Sequence, residues 1–355
     1  MELSNLIDII NFISLNIVIN ITENYHRGHK VINKRLEGKQ KYDMRINEFH
    51  KPHDFNIFND EKYFSLHSSS SKDVFVQLVR QSDNRVFATI AFYKTSENVY
   101  VSPLRGTFGG ISISDDLSFE EVESFVFDVI EYLHALGSAT IKIKCAPSGH
   151  SQISFSVIFN ILLNAGFEIH GHELNYHLSV DDRPYLERIS YSTKKKILKA
   201  GREGFEASKV EEDEFDQIYK VIEENRRKLG VNVSMSQSQI ANMIKLFPYK
   251  LNFFAVHKTI DEFDEMVAAA VCISISDDIL YVLYWGDIEG MQKHSPISLL
   301  AKHIYEFAQA QSFKKLDVGT STLLGKANHG LVKFKRNLGF RESIKLEFIK
   351  KIDDF

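Results

Sequence analysis

Two stretches of this chain, 180 residues apart, are built alike. RVFATIAFYKTSENVYVSPLRGTFGG (85–110) is a pair of apolar runs around Ser96-Glu97-Asn98, closed by a glycine-rich loop. EMVAAAVCISISDDILYVLYWGDIEG (265–290) has the same layout around Asp277-Asp278. Polar turn residues between β-branched and aromatic runs predict a β-hairpin at each place. Each hairpin precedes an amphipathic helix. In SFEEVESFVFDVIEYLHALG, Ser118 is the expected N-cap, Glu121 completes a capping box and Gly137 is the stop. In SPISLLAKHIYEFAQAQ, Ser295 is the expected N-cap and Pro296 falls in the first turn. Short strands follow, ATIKIKC (139–145) and KKLDVG (314–319). FSVIFNILLNAGF (155–167) and NHGLVKFKRNLGF (328–340) then predict about three turns of helix apiece, each stopped by Gly-Phe. HELNYHLSV (172–180) and SIKLEFIKK (343–351) alternate as half-exposed strands.

A pattern β-β-α-β-α-β written twice leaves few folds open. It predicts an α/β (α+β) protein of two tandem domains, with mixed, mostly antiparallel sheets flanked by helices. The domains span 44–190 and 191–355, and the last strand is free to pack on the first domain. The second half adds a helix over 213–230, with Phe215, Ile218, Ile222 and Leu229 on one face and Gly230 as its end. A short basic helix, YSTKKKILKAGREGF (191–205), joins the halves and is expected to be capped by Ser192 or Thr193.

With 355 residues the chain exceeds one ordinary core and suits two. Its net charge of −4 excludes a global attraction to nucleic acid, so an anionic partner has to meet a local basic patch. Cys145 and Cys272 each lie in an apolar run and read as buried thiols of a reducing compartment. The leader, 1–43, is expected to be partly helical or disordered. It has no basic n-region, and Glu2, Asp8 and four asparagines interrupt its apolar residues, which argues against a signal peptide or a membrane span. A cytoplasmic protein without stable membrane insertion, monomer or homodimer, is the expectation.

The order of elements resembles the GNAT acyltransferase fold, and two such units in tandem resemble the Fem family, the aminoacyl-tRNA-dependent peptidyltransferases of peptidoglycan bridges, and its Fem-like relatives. Four stretches carry the resemblance. SPLRGTFGG (102–110) matches the loop ending the first hairpin, and STKKKILKAGREGFE (192–206) is similar to the basic helix opening the second unit. LDVGTS (316–321) is similar to an Asp-aromatic-Gly strand end, and NHGLVKFKRNLGF to a G-L-x-x-F-K-x-x-x-G helix. The resemblance runs from about residue 50 to the end, and its order and spacing are more specific than any one motif. It implies an acyl- or aminoacyltransferase acting on an amine or hydroxyl of a nucleotide-linked cell-envelope or polysaccharide precursor. The donor it implies is aminoacyl-tRNA, whose acceptor stem would be the partner, or an acyl-CoA, with no permanently bound cofactor. An acyl-CoA or acyl-carrier-protein N-acyltransferase, and a degenerate ligand-binding domain without turnover, remain as alternatives.

A CoA-binding GNAT is expected to carry (Arg/Gln)-x-x-Gly-x-(Gly/Ala) before its central helix, where backbone N–H groups hold the pyrophosphate. This chain has Gln292-Lys-His-Ser295-Pro296-Ile297 there: both small positions are replaced, and Pro296 has no N–H to donate. The first half presents Asp115, Asp116, Glu120 and Glu121 at the matching place, which would repel a pyrophosphate. GNATs often place a tyrosine four residues before the helix-ending glycine; here those positions hold Leu162 and Lys335. The resemblance implies that Lys335 contacts the donor's phosphate or the developing oxyanion, and that Asp317 is the family's strand-end acid. Lys335 also fits a solvated position at the edge of an amphipathic helix whose buried face is Leu331, Phe334 and Leu338, and Asp317 a turn former. Lys195, Lys199 and Arg202 share a helix face at i, i+4 and i+7, suited to phosphates or to a solvated connector. Arg226 and Arg227 bind substrate or complement a helix C-terminus. Tyr284, Trp285 and Ser321 complete the candidate substrate-binding residues, in a groove between the two units. His26/His29, His50/His53 and His170/His172 lack cysteines or carboxylates at ligand spacing, so no metal site is expected.

Overall fold

The computed structural model describes residues 41–50, 56–260 and 262–352. The leader assigned to 1–43 therefore falls almost wholly outside the described residues, as do His26, His29 and His53. The first unit runs β1 (Tyr42–Ile46), α1 (Glu61–His67), β2 (Val74–Arg80), β3 (Val86–Ser96), β4 (Val99–Ser102), β5 (Ser112–Ile113), α2 (Phe119–Ala135), β6 (Thr140–Lys144), α3 (Gln152–Asn164) and β7 (Glu168–Ser179). The second runs α4 (Tyr191–Arg202), β8 (Phe205–Val210), α5 (Phe215–Lys228), α6 (Gln237–Leu246), β9 (Leu251–Ile260), β10 (Phe263–Ser274), β11 (Ile279–Asp287), α7 (Pro296–Ala310), β12 (Lys315–Thr320), the hairpin β13 (Thr322–Leu323) and β14 (Lys326–Ala327), α8 (His329–Asn337) and β15 (Arg341–Lys351).

Both hairpins form where the turn residues put them, as β3–β4 and β10–β11. α2 carries the expected capping box, with Ser118 accepting from the Glu121 N–H and Glu121 bonded back to Ser118. Other expectations change. α4 is capped by Ser190, whose Oγ accepts from the Thr193 N–H, so the helix starts before Ser192 and Thr193. Ser295 precedes α7 in the left-handed region and makes no side-chain cap. Leu229 lies past the end of α5 and is exposed; Tyr219 and Val221 join Phe215, Ile218 and Ile222 on the buried face. The sequence reading did not include β1, β2, β8, β9 or α6. β2 shows why: six of its seven residues are buried, so it has no alternation to read.

All strands but β13 and β14, which pair with each other, form one sheet in the order β1-β2-β3-β4-β6-β15-β7-β12-β11-β10-β9-β8, with β5 on β3. The two units exchange their last strands. β15 inserts antiparallel between β6 and β7, while β7 pairs with β12 of the second unit. The cores record the exchange: Leu346 and Phe348 of β15 are buried with α2 and α3, and Tyr176 and Leu178 of β7 with α7. Each large apolar side chain buried this way contributes about 2–3 kcal/mol that neither unit would hold alone. A further apolar cluster joins Phe58, Tyr63 and Phe108 of the first unit to Phe215, Tyr281 and Tyr284 of the second. Cys145 and Cys272 are free and buried, and burial pushes the Cys145 thiol up to about 12. Among the described residues no helix is long and apolar enough to cross a membrane.

Candidate functional site

β11 and β12 run parallel and pair from Ile279 with Lys315 to Tyr281 with Asp317. Beyond that point they part, and a V opens between Val282–Asp287 and Val318–Thr320. The cause is local. Gly319 has φ +70°, and a Cβ there would lie 3.0 Å from the Tyr281 hydroxyl. A left-handed residue turns the strand out of the ladder, and only glycine fits against the tyrosine. The pairing of β12 with β7 shifts register at the same place, between Asp317 and Thr320.

Asp317 is fully buried where the strands part. Its Oδ2 accepts from His150 Nε2 at 2.6 Å and from Asn175 Nδ2 at 2.7 Å, and its Oδ1 accepts from the Gly319 N–H at 2.7 Å. Burial by itself would raise this carboxyl, but the His150 hydrogen bond and charge, with the Gly319 and Asn175 donors, hold it below the usual range. The three donors come from β12, β7 and the 145–151 turn, so Asp317 ties the two units together.

Lys335 lies on the inner side of α8, whose first turn is capped by Asn328. It is 2% exposed, and its Nζ donates to the Gly319 carbonyl at 2.9 Å and the Thr320 carbonyl at 2.8 Å. Nζ also stands 5.4 Å from the centre of the Tyr176 ring. Leu331 and Phe334, expected to mark the buried face, are only half-buried, and Lys335 is the buried residue within the helix. Burial lowers its pKa to about 7; Asp317 opposes that shift, and the nearby charges of Arg226 and Lys345 add to it. Lys345 is itself paired with Glu173 at 2.7 Å, and its Nζ reaches the Thr107 carbonyl at 3.3 Å. The side chain of Arg226, half-buried at the end of α5, makes no ion pair or hydrogen bond among the described residues.

The other candidates divide. Tyr284 is buried toward α5, with its hydroxyl on Ser234 Oγ at 2.5 Å and accepting from the Met235 N–H at 3.1 Å. Trp285 packs edge-on against Phe334, 6.3 Å between ring centres, beside Lys335. Ser321 is buried, its Oγ has no partner, and its N–H holds the Leu174 carbonyl. Arg227 is exposed. Lys195, Lys199 and Arg202 point outward from α4: Lys195 lies over the Tyr191 ring, Lys199 pairs with Glu203 at 3.5 Å, and Arg202 holds the Leu198 carbonyl. Thus Asp317, Lys335 and Arg226 come together, Trp285 reaches the same helix through Phe334, and the α4 cations stand outside that group. His150 is the residue sequence reasoning passed over. Its available signal was the turn CAPSGHS directly after a strand, but its partner is 167 residues away. Among the described residues no three or more His, Cys, Asp or Glu are grouped to hold a metal.

Neither a protein-family model nor a curated protein matches the sequence. Solved structures match the fold. FemX superposes with a TM-score of 0.67 at 12% identity, over 87% of this chain and 97% of FemX. The C-terminal domain of a protein from Agrobacterium fabrum, assigned as a lysylphosphatidylglycerol synthetase, gives 0.52 at 10% identity over 75% of this chain and 81% of that one. L-PGS from Bacillus licheniformis gives 0.50 at 13%, over 77% and 83%. The chain has the Fem-like, tandem GNAT fold that its repeat resembles.

Proposed function

We propose that this chain is an acyl- or aminoacyltransferase whose chemistry is centred on Lys335, at the V between β11 and β12. The acceptor is an amine or hydroxyl of a nucleotide-linked cell-envelope or polysaccharide precursor, and the donor an aminoacyl-tRNA met in the cytoplasm. The observation that carries the reading is the arrangement of the Lys335 ammonium. It has three protons, two of which are taken by the Gly319 and Thr320 carbonyls, which leaves one for an oxyanion or a phosphate. The acceptor attacks the acyl carbonyl carbon, the new bond to nitrogen or oxygen forms, and the ester bond to the ribose breaks with its electron pair on the ribose oxygen, which takes up the proton the acceptor loses, with no covalent enzyme intermediate. Negative charge gathers on the carbonyl oxygen in between, and a buried, pre-placed cation stabilises it more than water does. Arg226, with its guanidinium unengaged, suits the phosphates of the acceptor.

An acyl-CoA donor is disfavoured by the start of α7. Ser295 is left-handed, Pro296 has no N–H, and His294 just before them is held by Glu203 at 2.8 Å. That carboxylate stands where a pyrophosphate would need donors. The test is a melting-temperature series with aminoacyl-tRNA, an acyl-CoA and a UDP-sugar, where a bound ligand stabilises the fold. Aminoacyl-tRNA and UDP-sugar are expected to raise it and acyl-CoA to leave it unchanged. A series in which none of the three moves it rules the transferase out.

A further inference from the structure

Away from the V, a cleft of about 420 Å³ opens between the units at the end of β6. Its walls come from the 111–115 stretch, the start of α3 and the turn between β10 and β11. Its size lies in the range of small-molecule sites, roughly 300–1,000 Å³. The floor includes His150, whose side chain is 7% exposed.

This histidine is held from every side. Nε2 is fixed on Asp317, the ring packs edge-on against Phe108 at 5.0 Å between centres, and Lys315 Nζ holds the carbonyls of Gly149 and His150 at 2.6 Å each. The turn can lie this close only because residue 149 is glycine: a Cβ there would come within 2.3 Å of His177 Nδ1 and 2.8 Å of Ser343 Oγ. An ionised carboxylate only accepts hydrogen bonds, so Nε2 is the ring nitrogen that donates to Asp317 and Nδ1 is the one left to a ligand. Nδ1 makes no hydrogen bond within the described residues and belongs to a ring that lines the cleft.

The other polar groups around the cleft complete a donor and acceptor set. Ser112 Oγ accepts from Asn56 and Asn59 at 3.0 and 2.7 Å, so its own hydroxyl proton is available to a ligand. Ser151 and Ser154, at the head of α3, bond to each other through their hydroxyls at 2.9 Å, which leaves one of the two hydroxyl protons for a ligand, and Asp115 brings a carboxylate with no ion pair among the described residues. Ile113, Phe155 and Phe159 supply apolar surface opposite. We propose that this cleft is a second binding site, separate from the Lys335 centre, for a small hydroxylated amine of the amino-sugar class. A hydroxyl of the ligand hydrogen-bonds with His150 Nδ1, its ammonium meets Asp115, and its other hydroxyls meet the serines.

The site does not depend on the transfer reading, and its test needs no turnover. Glucosamine is added to the full chain labelled with ¹⁵N-histidine, with glucose as the uncharged comparison. The expected result is that glucosamine moves the Nδ1 resonance of His150, and that glucose binds at least about tenfold more weakly. His150→Gln, which keeps an N–H toward Asp317 and has no nitrogen at the place of Nδ1, is expected to weaken glucosamine by about tenfold or more. Asp115→Asn, on the exposed rim and without effect on folding, is expected to remove the preference over glucose. No movement of the His150 resonances at saturating glucosamine, or equal binding of the two sugars by the unaltered chain, would overturn the proposal.

Discussion

α3 and α8 hold the same place in the two units and end on the same Gly-Phe, yet four residues before the glycine one carries Leu162 and the other Lys335. Both are buried, at 0% and 2% exposure. In the first unit the position does what an apolar residue does there, packing with Ile158 and Ile161 in the core beneath the sheet. In the second an ammonium occupies the equivalent place. It is desolvated until its pKa falls to about 7 and is kept in position by two strand-end carbonyls. Packing alone needs only the leucine. A fold that carries the costlier group in one repeat and not in the other directs the proposed chemistry to that repeat.

Exchanging the two residues breaks the comparison in opposite ways. Leu162→Lys places a cation in an apolar core with no carbonyl pair prepared for it, and is expected to cost about 4 kcal/mol or more by urea unfolding. A loss under about 1 kcal/mol would show that the first unit accommodates a lysine as readily as the second. Lys335→Met is expected to leave a folded protein and to lower transfer by about a hundred-fold, the scale of losing one oxyanion donor. Steady-state rates with aminoacyl-tRNA check it, and an unchanged rate would reduce Lys335 to a packing residue.

The same pair gives a pH signature. The folded pKa of Lys335, near 7, lies below the ordinary lysine value of 10.5, so between these the unfolded chain binds the extra proton. The lysine's contribution to stability therefore rises with pH across that window, by up to about 1.4 kcal/mol per unit. Lys335→Met should lose that rise, whereas Leu162→Met should keep it. Unfolding at several pH values between neutral and alkaline decides the matter. The smallest effect belongs to α4: removing Lys195 and Lys199 together is expected to flatten the salt dependence of tRNA binding by about one to two units of slope, without changing transfer at saturation.

The repeat was legible because its signals are local. Turn residues fix the hairpins, the Ser118–Glu121 box fixes the start of α2, and Gly166 and Gly339, at φ +81° and +89°, fix where α3 and α8 stop. Asp317 and Lys335 stood out because the stretches that hold them resemble motifs of the Fem-like family. Period counting put Lys335 at the edge of its helix because Leu331 and Phe334 are the apolar neighbours, but the deepest point of α8 is set by the strand end it closes over. His150 was not legible, since a lone histidine in a turn has no local pattern and its meaning lies in a carboxylate from the other unit.

By itself, then, the sequence determined the repeated hairpins and helices, their duplication and a loop before α7 without small residues, all of which rest on neighbouring residues and on backbone chemistry such as Pro296. Tertiary structure decided the rest. It exchanged β7 and β15 between the units, because each half buries its apolar strand face only against the other's core. That exchange sets His150, Asn175 and Asp317 within hydrogen-bonding distance and places Lys335 under the end of β12. Charges acquire their chemistry there from burial and from partners far away along the chain, and neither is written in the residues beside them.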